Sequence, residues 1–179
     1  MTPTIPEKEG WVDRERLLDI EGRNREVQLR LAKEYGFEEY ESPGGGCLLT
    51  ESSFEQKIRD VMAYEKFTVA DIDILKAGRH LRLPDGAKLV IGRNQEDNEK
   101  LKKIENEKYI FARANDIAGP TSLISKNASE ADRKLAAKLI LTYTKTPKES
   151  EGSVLIGEEI VKATPFENKS YAQPYFVVK

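Results

Sequence analysis

The stretch RHLRLPDGAKLVIGRNQEDN, residues 79–98, decides the fold class. Arg79-His80-Leu81-Arg82-Leu83 alternates polar and apolar side chains, the period of a half-buried strand. Pro84-Asp85-Gly86 supplies a tight turn, because Gly takes positive φ without steric cost. Ala87-Lys88-Leu89-Val90-Ile91 returns as the second strand of a hairpin, and Gly92 punctuates its end. Asn94 then stands where a helix N-cap belongs, and Glu96 and Asp97 suit the positive end of the helix dipole. A helix over residues 95–107 is predicted. Asn94 serves there as a cap or as a ligand contact, and the residues leave both open.

Outward from this corner, strands are predicted over 109–114, 121–125, 154–161 and 171–178. Ser129 caps a helix over 130–143 that turns Leu135, Ala136, Leu139 and Ile140 inward. Upstream, residues 1–10, with Pro3, Pro6 and Gly10, read as a linker. Asp13 caps a short helix over 12–20, and a second helix over 23–35 stops at Gly36. Thr50 or Ser52 opens a helix with Phe54, Ile58, Val61 and Met62 along one side. Thr68, with Asp71 three residues on, opens another that ends at Gly78. The predicted architecture is α+β: a linker (1–10), a helical region (11–75) and a domain with a mixed or antiparallel sheet (76–179).

Composition narrows the function classes. Of 179 residues, 39% are hydrophobic and 34% charged, enough for a real core and a well-charged surface. The net charge of −2 gives no global attraction to nucleic acid, so RNA binding needs a local basic face. No apolar run reaches membrane-spanning length and the start lacks a signal-peptide pattern, so no membrane partner and a cytoplasmic location are expected. One Cys and one His leave no disulfide and no Cys- or His-rich metal site.

Few residues carry visible chemistry. Cys47 follows three glycines and precedes a predicted helix, where the backbone dipole lowers a thiol pKa. It is a reactive thiol or a small buried hydrophobe. The glycine run lacks a Lys-Ser/Thr ending and is not a phosphate loop. Arg79, Arg82, Lys88 and Arg93 lie on or beside one hairpin, a phosphate footprint or ordinary surface charge. His80, or Phe111 where exposed, is placed to stack a base. No carboxylate pair sits in an apolar setting fit for acid–base work.

Two resemblances emerge. GRNQEDNEKL (92–101), FARANDIAGP (111–120) and the Ala-rich helix at 131–141 resemble the RNA-binding domain of the NFACT family. That resemblance implies RNA contacts at Gly92, Arg93, Asn94, Asn98, Asp116 and Gly119, with Arg113 beside them, and work around ribosomes and tRNA. Phe111 and Arg113 stand where the family usually has Trp and His, and Pro120-Thr121 where it has Ser-His. GWVDRERLLDIEGRNR (10–25) and YESPGGGCLLT (40–50) resemble the region that follows the ATP-binding PP-loop domain of tRNA thiouridylase-like proteins. The SGGxDS motif of that domain is absent from this sequence. The resemblance implies a module that binds tRNA or another structured RNA for tRNA modification. Its PP-loop ATPase domain, in cis or in trans, would supply ATP and sulfur transfer; no cofactor is expected in this chain. The rival readings are a module that docks on a ribosomal or PP-loop protein, and a thiol-dependent sulfur carrier using Cys47.

Overall fold

The computed structural model describes residues 2–20, 25–37, 48 and 51–178; the Gly-Gly-Gly-Cys loop, with Cys47, lies outside them. The chain divides into two compact units, 1–45 and 46–179.

In the first unit, α1 (Ile5–Lys8) occupies part of the segment read as linker. Its start is held by Thr4 and Glu7: the Thr4 N–H and hydroxyl donate to the Glu7 carboxylate at 2.5 and 2.7 Å, and Arg14 donates to the same carboxylate at 2.8 Å. The helix predicted over 12–20 is reduced to a 3-10 turn, Arg14–Arg16, capped by Asp13 as expected. Helix α2 (Glu26–Glu34) ends before Gly36, whose φ of 72° is the left-handed stop. Neither helix buries a side chain.

The second unit is built on a six-stranded antiparallel sheet in the order β1-β2-β4-β3-β5-β6. Strands β1 (Arg79–Arg82) and β2 (Lys88–Ile91) form the predicted hairpin, with Gly86 at φ 95° in its turn. Strands β3 (Tyr109–Ala114) and β4 (Ser122–Ser125) follow the sequence reading closely. The single strand predicted over 154–161 is instead a hairpin, β5 (Gly152–Ile156) and β6 (Glu159–Ala163). Gly157, at φ 60°, reverses the chain between Ile156 and Glu158. The predicted last strand is a 3-10 helix, Lys169–Tyr175, capped by Asn168 and containing Pro174. It leaves one isolated bridge, Leu81 with Phe176.

Helices lie on both faces. Helix α6 (Glu130–Thr142) covers one, where Leu81, Leu89, Ile91, Ile124, Val154 and Ile156 meet Ala136, Leu139 and Ile140. Helices α3 (Ser52–Tyr64), α4 (Asp71–Lys76) and α5 (Gln95–Lys102) cover part of the other. There Phe54, Val61, Ile74, Leu75 and Leu101 enclose Val90, Tyr109 and Leu123. In α3, Phe54, Ile58 and Val61 pack as read, whereas Met62 faces solvent; the N-cap is Glu51, not Thr50 or Ser52. Helix α5 stops at Lys102 rather than at 107. Asn106 and Lys108 turn away to bond Asp71 at 3.0 and 2.6 Å, tying the approach to β3 onto α4.

Candidate nucleic-acid interface

The corner at residues 92–98 folds as its sequence suggests. Asn94 is the N-cap of α5 and accepts from the Asp97 N–H at 2.9 Å. Asn98, one turn on, accepts from the Thr121 N–H at 3.0 Å and ties the helix to the approach to β4. Gly92 must be glycine because the chain passes so close. A Cβ there would lie 2.1 Å from Asn98 Oδ1 and 3.3 Å from the Thr121 carbonyl oxygen.

The backbone N–H groups of this corner do not all open towards solvent. Buried Asp97 accepts from the Arg93 N–H at 3.1 Å and from Arg93 Nε at 2.6 Å. The Arg93 hydrogen bonds hold the Asp97 carboxyl below its usual range. The helix start therefore carries its own anion.

Around this corner is a cleft of about 250 Å³, lined by Arg79, Arg93, Asn94, Asn98, Tyr143 and Lys169 together with Gly92, Gln95, Gly119 and Pro120. The Arg79 guanidinium lies 4.9 Å from the centre of the Tyr143 ring, and Lys169 Nζ lies 5.5 Å from the same centre. Arg79 also donates to the Gly92 carbonyl at 3.3 Å. Among the described residues, neither Arg79 nor Lys169 forms an ion pair with a carboxylate. Two cations held on one ring without a counter-charge create a site for an anion. Arg93, half exposed, also borders the cleft, its charge matched by Asp97. Tyr143 and Lys169 were not singled out from sequence. Tyr143 sits at the C-cap of α6 and Lys169 opens the 3-10 helix; only the fold brings them beside Arg79.

The hairpin's basic residues divide between the two faces of the sheet, because successive side chains on a strand point opposite ways. Arg79 joins the cleft. His80, Arg82 and Lys88 point to the α3 side. Arg82 and Lys88 clasp Asp60 of α3 at 2.6 and 2.5 Å, and Arg82 lies over the Tyr64 ring. Burial of Asp60 disfavours its charge, but the Arg82 hydrogen bond and the Lys88 charge outweigh this and lower its pKa. Burial pushes the Lys88 ammonium down to about 8. His80 is buried, with Nε2 2.9 Å from the Ala77 carbonyl oxygen. Burial, with the charges of Lys88 and Lys57, keeps its pKa well below the ordinary value, so it is neutral. It is thus enclosed rather than offered to a base. Arg82 and Lys88 thereby hold α3 to the sheet.

Asp116 accepts from the Ser153 hydroxyl and from Asn115, which shapes the β3–β4 loop. Gly119 of that loop reaches the cleft. Arg113 and Phe111 stand on β3, exposed on the sheet face opposite α6. Among the described residues no group of His, Cys, Asp and Glu is arranged to hold a metal, and no helix is long and apolar enough to cross a membrane.

No curated protein matches the chain. One solved structure with a similar fold is the C-terminal part of the fibronectin/fibrinogen-binding protein from Streptococcus suis. It is 15% identical, with a TM-score of 0.48, over 69% of this chain and 66% of that one. Residues 78–176 match the family profile described as "NFACT protein RNA binding domain", and they include the hairpin, the cleft and the 3-10 helix. With more than half of its residues inside that profile, the chain belongs to the NFACT RNA-binding-domain family and carries an RNA-binding module.

Proposed function

We propose that the RNA is tRNA or a similarly folded RNA, and that its phosphate backbone enters the cleft between Arg79 and Lys169. The carrying observation is the pair of cations on Tyr143 without a carboxylate partner among the described residues. Phosphate contacts fix register and orientation, while Asn94, Gln95 and Asn98 add neutral hydrogen-bonding groups at the rim. The module would present this RNA to an ATP-dependent PP-loop domain that performs sulfur transfer, in cis or in trans. Support for that partner is the sequence resemblance at 10–25 and 40–50. ATP belongs to the partner, and the 179-residue chain alone should not turn over ATP. A sulfur-carrying role for Cys47 is tested by alkylation at neutral pH; a thiol no faster than free cysteine removes it.

Binding should weaken with salt, because each neutralised phosphate releases counterions. Replacing Arg79 and Lys169 with Gln should reduce the slope of log affinity against log salt by about 1 per cation. Fluorescence anisotropy with a labelled tRNA between low and high salt measures it. Unchanged affinity and slope in the double variant would remove the cleft from the RNA surface.

A specific observation also favours the docking reading. In the first unit Trp11 and Tyr35 are 74% and 72% exposed, and Leu17, Leu18 and Phe37 are also bare. So much uncovered apolar surface is the mark of a segment that folds against a partner protein. Capture of a PP-loop protein that is lost when Trp11 and Leu18 become Ser would place the docking function there.

A further inference from the structure

Helices α3, α4 and α5 cover only part of their side of the sheet. Beyond Tyr109, the same face of β3, β5 and β6 carries no helix among the described residues. Strand register places Arg113, Leu155 and Ile160 in one row across this area, with Ser153 and Lys162 in the next. Phe111 lies two residues before Arg113 and therefore on the same side. Strand β3 is flanked by β4 and β5, an interior position where an aromatic is normally enclosed. Here Phe111 is 44% exposed, and Ile160 is 58% exposed.

Charge distinguishes the occupant. Arg113 has no carboxylate partner among the described residues. Of the acids bordering this area, Asp116 bonds the Ser153 hydroxyl and Glu151 lies 3.7 Å from Lys162, while Glu158 in the β5–β6 turn is exposed to solvent. A bare aromatic beside an unpaired guanidinium suits an alternation of flat base and phosphate. The position fits as well. Arg113, the start of β4, the end of β2 and the start of β1 share one end of the sheet. The β3–β4 loop joins them, and its Gly119 and Pro120 line the Arg79–Lys169 cleft. A strand leaving the cleft over this loop meets Arg113 next.

We propose that the uncovered face of β3, β5 and β6 binds an unpaired RNA segment, with Phe111 stacking a base and Arg113 holding the adjoining phosphate. The inference rests on the RNA-binding reading of the cleft and adds a preference to it. A duplex hides the faces of its bases, so this surface selects single strands.

The test uses the full chain with two probes, a fluorescent twelve-residue oligouridine and an RNA duplex of equal length. Phe111→Ala should weaken oligouridine binding about tenfold, the usual loss for one stacked base, and leave duplex binding unchanged. Phe111→Trp should restore it. In a Trp11→Phe background, the new indole at 111 should be quenched as oligouridine is added. Oligouridine binding indifferent to Phe111→Ala, with no quenching at 111, overturns the proposal. If tRNA binding still falls in the Arg79→Gln, Lys169→Gln variant under that outcome, the cleft stands and the sheet face alone is lost. If the parent chain binds neither oligouridine nor tRNA, both readings fall together.

Discussion

At the residue scale, Gly92 and Asn98 form the tightest fit of the signature corner. Gly92→Ala pushes a methyl group onto the Asn98 amide and takes that amide from the Thr121 N–H. The expected loss is about 1–3 kcal/mol, from an unpaired backbone donor and local strain. Asn98→Ala already gives up the hydrogen bond but leaves room for the methyl. The double variant should therefore cost less than the sum of the singles. Urea unfolding of the four proteins measures this coupling, and strict additivity would contradict the contact.

Asp60 tests the buried charges on the α3 side. Asp60→Asn leaves Lys88 and Arg82 enclosed without their anion, a loss of about 3–5 kcal/mol by urea unfolding. The pH dependence has a definite sign. Asp60, Asp71 and Asp97 are all held below their unfolded pKa. Their stabilisation is complete above that value, about 3.9, and is lost as pH falls through the folded values. Asp60→Asn should flatten part of that acid limb. Lys88, depressed to about 8, acts on the alkaline side. Above that pH the folded protein sheds the Lys88 proton while the unfolded chain keeps it, so the lysine's contribution grows as pH rises. Tyr109, raised by burial and by Glu65, opposes this once unfolded tyrosine ionises near about 10. Between pH 8 and that point, stability relative to a Lys88→Met variant should rise; a parallel pair of curves would refute the shift.

At the element scale, the start of α6 holds the first hairpin in place. Ser129 caps the helix by accepting from the Asp132 N–H at 3.1 Å, and its hydroxyl donates to Asp85 in the turn. Asp132 in turn accepts from the Asp85 and Ala87 N–H groups at 3.2 and 3.0 Å. Ser129→Ala should cost about 1 kcal/mol, as an ordinary cap does. Asp132→Ala should cost more, about 1–3 kcal/mol, because the buried Ala87 N–H is left unpaired. Amide exchange at Ala87 should accelerate in the second variant and hardly change in the first. The reverse order would mean that cap geometry, not the cross-link to the hairpin, secures this junction.

At the scale of the whole molecule, both hydrophobic clusters lie within residues 54–176. Residues 46–179 form a compact unit by themselves. A chain of residues 46–179 should therefore unfold in one cooperative transition and keep the tRNA salt slope of the full chain. Circular dichroism under urea and the anisotropy titration check the two halves of this statement. A broad, non-cooperative transition would show that the first unit contributes to the core.

Local patterns decided much by themselves. The hairpin, the Asn94 and Ser129 caps, strands β3 and β4 and the α+β class were legible because turn chemistry, capping and period-2 alternation act within a few residues. The 92–98 corner was legible for the same reason, and the family profile covers it. Gly157 with Glu158 interrupts the apolar pattern and turns one strand-length segment into a hairpin, and the 3-10 helix resembles a strand because its aromatics suit either form. What the sequence could not settle was the side to which each basic residue turns and what waits there. Asp60, twenty-two residues before Arg82, claims Arg82 and Lys88 for the interior. Tyr143 and Lys169, more than sixty residues beyond Arg79, complete the cleft. Alternation along a strand assigns side chains to two faces, but only the packing of α3 on one and α6 on the other determines which of those side chains are enclosed and which stay exposed.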